Sequence, residues 1–288
     1  MNGPASSAGL SGAFATLAES LETAVATPGI DDASRHVLAR RVAALLDDRA
    51  GFLVGYRGTW DEAAVRDYAA SRRHDGGERT SPHVETMHLH ALERLALLEG
   101  AETPGHVARV ADCTRVLATA RGESQAASVT LGLAARIHDV GLAAVPEELF
   151  LNRSRVDSYE TQLVETHTRV GAALLDALVA WLGVVEGPLA VARDIVLCHH
   201  ERHDGLGPHG LAGEAIPPAA RLVALADVYD TLRRNRPSRE GLDHAAAVVA
   251  IRSSNRGGQA RFDPELLPVF IACMGEIGAI YDHHGEIV

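Results

Sequence analysis

The sequence predicts an all-α fold: a large helical bundle preceded by a smaller, mainly helical N-terminal domain. Three observations predict it. Of 288 residues, 47% are hydrophobic but only 4% aromatic, and this Ala- and Leu-rich balance favours helices over the β-branched and aromatic surfaces of sheets. Apolar residues return at intervals of three and four rather than two. Gly and Pro gather in short stretches between those runs, as in DGLGPHG at 204–210, where turns belong.

The elements follow in order. Residues 14–26 place Phe14, Leu17, Leu21 and Val25 at helical spacing. Residues 32–49 repeat the pattern with Val37, Leu38, Val42, Leu45 and Leu46 after an Asp31-Asp32 start signal. A third helix is expected from Trp60 to about Arg72. The stretch RRHDGGERTSPH that follows has no periodic apolar face, so a boundary near residue 80 is expected, with domains at 1–80 and 81–288. Beyond it, helices are expected over 85–99, then from Thr103-Pro104, an N-cap followed by a first-turn proline, to Gly122. Further helices fit 124–138, 157–181, 187–200, 217–234, 241–252 and 263–281.

A formal net charge of -11 argues against wrapping DNA or RNA, which needs a basic face. An anionic ligand must therefore be small and locally held. Cys113, Cys198 and Cys273 are far apart and set among aliphatic residues, so they read as buried free thiols of a reducing compartment. The N-terminus lacks the basic and apolar regions of a signal peptide, and no stretch reaches the roughly 18 apolar residues of a membrane span. The expectation is a cytoplasmic protein without membrane insertion.

Chemistry enters with ionisable residues on apolar faces. Leu163, His167, Val170, Gly171, Leu174 and Leu178 share one helical stripe, which aims the His167 imidazole inward. Alone, such a histidine is ordinarily a core residue bonded to a carbonyl. It is not alone: His138-Asp139 and His199-His200 each close an apolar run, and Asp227 lies on the apolar side of RLVALADVYDTL. Inward carboxylates cost several kcal/mol unless cations or hydrogen bonds compensate them, and divalent ions are the obvious cations. Imidazole and carboxylate without thiolate suit iron, manganese or zinc and argue against a closed structural zinc site. Adjacent side chains on a helix diverge by about 100°. Each doublet is therefore expected to serve two neighbouring ions rather than chelate one.

The order of these elements resembles the HD-GYP branch of the HD phosphohydrolase superfamily over about 200 residues. The resemblance runs through EGAETPGHVARVAD at 99–112, HDVGLAAVPEEL at 138–149 and ETHTRVGAALL at 165–175. It continues through CHHERHDGLGPHGLAGEAIPPAARLVALADVYDTL at 198–232, RPSR at 236–239 and RFDPELL at 261–267. It implies an HD-type helical bundle that hydrolyses cyclic di-GMP to pGpG, and it allows a second cut to GMP. It also implies metal ligands at Glu102, His106, His138, Asp139, His167, His199, His200 and Asp227. Asp139 would bridge two ions and act with His138 in catalysis, Glu102 would belong to a third ion, and Arg236 and Arg239 would contact substrate. Two or three divalent ions are implied, iron or manganese first and zinc as a further candidate. His74, His83, His88, His90, His203, His209, His244, His283 and His284 match no ligand position and are expected at the surface or behind a ligand.

Two departures bear on substrate handling. Leu142 stands where the family carries the lysine of HD-x-G-K, and Gly207-Pro208 lacks the tyrosine of the GYP triplet. Three readings stay open: an active cyclic-dinucleotide phosphodiesterase, a metal-loaded but catalytically weak protein that binds the nucleotide or a partner, and a hydrolase of another phosphate ester. The N-terminal domain could sense a signal, form a homodimer, engage a signalling partner or pack on the core.

Overall fold

The computed structural model describes residues 17–47, 82–97, 103–145, 156–183, 186–235, 240–255 and 260–284. Among them are helices and turns and no strand. The helices are α1 (17–25), α2 (Asp32–Asp47), α3 (Pro82–Leu97), α4 (Pro104–Arg121), α5 (Gln125–Ala135) and α6 (Val156–Leu182). They continue with α7 (Pro188–Cys198), α8 (Pro218–Arg233), α9 (His244–Ser253), α10 (Leu266–Ala272) and α11 (Met274–His284), and short 3-10 turns cover Val140–Ala144 and Gly213–Ala215. The helix expected from Trp60 to Arg72, and the boundary near residue 80, lie outside the described residues.

Local chemistry sets most helix starts. Asp31 accepts a hydrogen bond from the Ser34 amide ahead of α2, Thr103 caps α4 with Pro104 behind it, and Ser124 caps α5. Gly122 ends α4 in the left-handed region, at φ 100°, a conformation that costs glycine little. Several expected bounds differ. The segment 241–252 becomes helical only at His244, because Asp243 accepts from the Ala246 amide and fixes the start there. The span 263–281 divides into α10 and α11, bent by 64° at Cys273. Among the described residues no single helix is long and apolar enough to cross a membrane.

One apolar cluster runs through the molecule. It joins Leu17, Leu21, Leu38, Val42 and Leu45 of the first two helices to Leu92, Leu117, Leu174, Leu178, Ile195 and Leu225. The central helices α6 and α7 pack on each other, α4 packs on α5 and α8, and the Val140–Ala144 turn is held between α6, α3 and α2. On that last contact Arg41, only 3% exposed, donates to the Leu142 carbonyl at 2.9 Å. Cys113, Cys198 and Cys273 are buried free thiols, and burial pushes the Cys198 thiol up to about 11.

Candidate metal centre

Four segments deliver ionisable side chains to one interior point. The capped start of α4 places His106 in its first turn, where the Thr103 hydroxyl accepts from its amide. Helix α5 ends at Ala135, three residues before the expected 138, so His138 and Asp139 lie in the turns that lead into Val140–Ala144. Two glycines let that turn settle against α6. A Cβ on Gly141 would stand 1.8 Å from the His167 carbonyl oxygen, and one on Gly171 would stand 2.6 Å from Val196 Cγ1. Helix α6 brings His167. Helix α7 stops at Cys198, with His199 as its C-cap and His200 just beyond.

Two ligand groups result. Asp139, His167, His199 and His200 offer atoms within 4.8 Å of one another, and so do His106, His138 and Asp139. Asp139 Oδ1 lies 3.1 Å from His167 Nε2 and 3.2 Å from His199 Nε2, while Oδ2 lies 3.3 Å from His138 Nε2. The Nε2 atoms of His106 and His138 are 3.4 Å apart. His199 and His200 thus face one group, contrary to the divergence expected of neighbours on a helix, whereas the His138-Asp139 doublet reaches both groups through Asp139. The reason is local: neither doublet lies inside a helix, and the turns after α5 and α7 fold adjacent side chains onto one side.

Protonation suits cation binding. Burial raises the Asp139 carboxyl, but the charge of His138 and contacts with His138, His167 and His199 outweigh it and hold the group well below the ordinary carboxylate range. Burial, followed by the proximity of His199 and His167, keeps His200 well below the ordinary imidazole value. His199 is lowered by burial as well. The far nitrogens are tied down: His138 Nδ1 meets the Ala135 carbonyl at 2.9 Å, and His199 Nδ1 meets that of Ile195 at 3.0 Å. Such bonds leave Nε2 as the lone-pair atom. Asp139 Oδ1 and His199 Nε2 are close, yet neither has a hydrogen-bond partner of good geometry. A divalent cation satisfies both, so these residues fit the ions that the donor set implies.

Of the other expected ligands, Asp227 stands beside the groups, its Oδ1 3.7 Å from His106 Nε2. Glu102, Arg236 and Arg239 lie outside the described residues. Among the remaining histidines, His88 is not at the surface: it is fully buried, 3.0 Å from the Ser20 hydroxyl. His209 stands behind a ligand's neighbour, 3.1 Å from the Thr168 hydroxyl.

Three supporting residues escape a motif-by-motif reading. Asp230 Oδ2 meets His106 Nδ1 at 2.7 Å, and Arg109 donates to both Asp230 oxygens. Helical spacing contains the signal, since Arg109 follows His106 by three residues and Asp230 follows Asp227 by three, on the same faces. Burial raises the Asp230 carboxyl, but hydrogen bonds from His106 and Arg109 bring it below its ordinary value. Glu201, 5% exposed, accepts from the His209 and Leu211 amides, both at 2.7 Å, and so fastens the DGLGPHG loop beside the centre.

Comparison with known proteins bears on the same segments. The family model described as HD domain matches residues 90–266, which takes in the described ligand positions from His106 to Asp227. A cyclic di-GMP phosphodiesterase of Vibrio cholerae is 33% identical over 221 residues, 73% of this chain and 44% of that protein. The cyclic di-GMP phosphodiesterase response regulator RpfG of Xanthomonas campestris is 33% identical over 65% of this chain and 48% of its own length. A 3'3'-cGAMP-specific phosphodiesterase 2 of Vibrio cholerae is 32% identical over 62% of this chain and 33% of its own. The chain thus spans less than half the length of each of these relatives. With its family model covering well over half of the sequence and its histidines and aspartate converging on one buried point, the chain belongs to the HD domain family.

Proposed function

We propose that this chain is an HD-GYP-type, metal-dependent phosphodiesterase that hydrolyses cyclic di-GMP to pGpG, a product that a second cut would take to GMP. The observation that carries the reading is the membership of Asp139 in both ligand groups. One carboxylate common to two sets of imidazoles suits two neighbouring cations, the arrangement used for in-line displacement at phosphorus. The names of the relatives support a cyclic dinucleotide as substrate. Neutral imidazoles with carboxylate and no thiolate favour iron or manganese, with zinc a further candidate.

Bound here, a pair of divalent ions supplies an activated water and offsets phosphate charge. The chain's residues do the rest. Asp139, held anionic, and His138, its far nitrogen fixed on the Ala135 carbonyl, form the proposed catalytic pair. Arg236 and Arg239 are proposed to hold phosphate oxygens through bidentate hydrogen bonds. In the net reaction the oxygen of water bonds to phosphorus, the bond to O3′ breaks, and one proton of water ends on the released 3′-hydroxyl.

The test is hydrolysis of cyclic di-GMP by anaerobically purified, iron- or manganese-loaded protein, with metal content and products measured together. Formation of pGpG supports the reading. A second reading, a metal-loaded protein that binds the nucleotide but turns it over weakly, is favoured by Leu142 and the missing GYP tyrosine. Nucleotide binding without hydrolysis in both metal forms would select it.

A further inference from the structure

The histidines of the centre are not held alike. The far nitrogens of His138 and His199 rest on neutral backbone carbonyls, whereas His106 Nδ1 rests on the carboxylate of Asp230 at 2.7 Å. His106 and Asp230 are each 1% exposed, so water does not dilute the contact. Asp230 is fixed in turn: Arg109 holds both of its oxygens, and the Arg234 Nε lies 3.7 Å away. Arg109 stacks on the Tyr281 ring of α11 at 4.8 Å, and the other cation on that ring is Arg233 at 4.1 Å. The Tyr281 hydroxyl donates to the Arg233 carbonyl at 2.9 Å. A chain of contacts therefore runs from the last described helix to one nitrogen of the metal centre.

We propose that Asp230 is a positioning residue for the half of the centre formed by His106 and His138. This rests on the reading of those histidines as metal ligands. An anionic Asp230 can only accept, so the proton of His106 is kept on Nδ1, and Nε2, which faces His138 Nε2 at 3.4 Å, is left as a lone pair for the ion. A carboxylate behind an imidazole also strengthens it as a donor. On the other side of the centre His199 rests on the Ile195 carbonyl instead of a carboxylate. The two halves of the centre therefore differ in what Asp230 does for them. Arg109 acts one step further out, keeping Asp230 ionised and in place.

The experiment is calorimetric addition of Mn²⁺ to the full chain after chelator treatment, for the wild type, Asp230→Asn and Arg109→Gln. The wild type is expected to show two binding events. Asp230→Asn should weaken one of them by about 10- to 100-fold and leave the other within about twofold. Arg109→Gln, which keeps the carboxylate on His106 but removes its restraint, should weaken the same event less than Asp230→Asn does and leave the other within about twofold. Should Asp230→Asn fold poorly because Arg109 is stranded, the paired variant Asp230→Ala with Arg109→Gln removes the acceptor without leaving a buried cation, and should show the same selective loss. Two unaltered events in the Asp230 variants, or equal weakening of both events in every variant, overturns the inference. A wild type that binds no Mn²⁺ overturns the metal reading itself, a result distinguishable from the other two.

Discussion

Asp139 Oδ1 and His199 Nε2 lie 3.2 Å apart in the interior without sharing a well-formed hydrogen bond. Two polar atoms so placed are mutually tolerable when a third, positive body sits between them. Asp139→Asn should therefore abolish loading at one or both positions. Ligand binding to the native state adds about 2.7 kcal/mol at a hundredfold excess over Kd, so chelator treatment should lower the melting temperature of wild type by more than that of the variant. Metal content by elemental analysis, alongside melting curves, checks this. Unchanged metal content in Asp139→Asn would remove the bridging role.

Leu142 sets a second expectation. It is buried, 8% exposed, but does not join the main apolar cluster, and its carbonyl is held by Arg41. Leu142→Lys should leave the core intact and raise turnover of cyclic di-GMP, since one preorganised charge on a phosphate is worth up to roughly 10²–10³ in rate. Initial rates for the two proteins at saturating substrate decide it; equal rates would show that the missing lysine is not what limits the reaction.

Gly141 offers a test of architecture rather than chemistry. Because a Cβ there would fall 1.8 Å from the His167 carbonyl, Gly141→Ala must push the Val140–Ala144 turn away from α6. A loss on the order of 3 kcal/mol or more is expected, as for severe overpacking, with metal binding lost as well. Gly275→Ala, where a Cβ meets nothing within 4 Å, is the control and should melt as the wild type does.

Glu85 predicts a pH dependence away from the centre. It is buried against Gly187, accepts from the Leu189 amide at 3.0 Å, and burial raises its carboxyl above the ordinary value of 4.5. A group whose folded-state pKa is raised favours the fold below its unfolded value and loses that contribution as pH climbs through the folded value. Glu85→Gln keeps an acceptor and removes the charge. It should melt above wild type at pH 7, by about 2 °C or more, with the gap closing towards pH 4. A gap that widened on acidification would refute the argument.

Much of this architecture is legible in the residues. Thr103, Pro104 and Gly122 announce α4, and the stripe through His167 announces the inward face of α6, because caps and periodicity are short-range properties. Even the histidine and aspartate positions are legible as inward polar groups in apolar runs. What escaped depends on where chains cross. The placing of each doublet follows from helices that stop at Ala135 and Cys198, a matter of two or three residues that periodicity does not fix. Asp230, Arg109 and Glu201 carry charges that look solvated in a string of letters; Asp230 meets Arg109 across 121 residues, and Glu201 is buried by the loop that follows it.

The bond from Arg41 to the Leu142 carbonyl joins residues 101 apart in the chain, and it bears on the order of folding. The turn that carries Asp139 is steadied from far upstream, while His199 and His200 reach it from far downstream. Contacts of such long range are slow to close. During synthesis a lone His106 or a lone His138-Asp139 pair has no completed cage around it, and the centre becomes whole only after α7 has been made and docked. Selectivity for the ion is then exercised by the finished bundle, not by the growing chain.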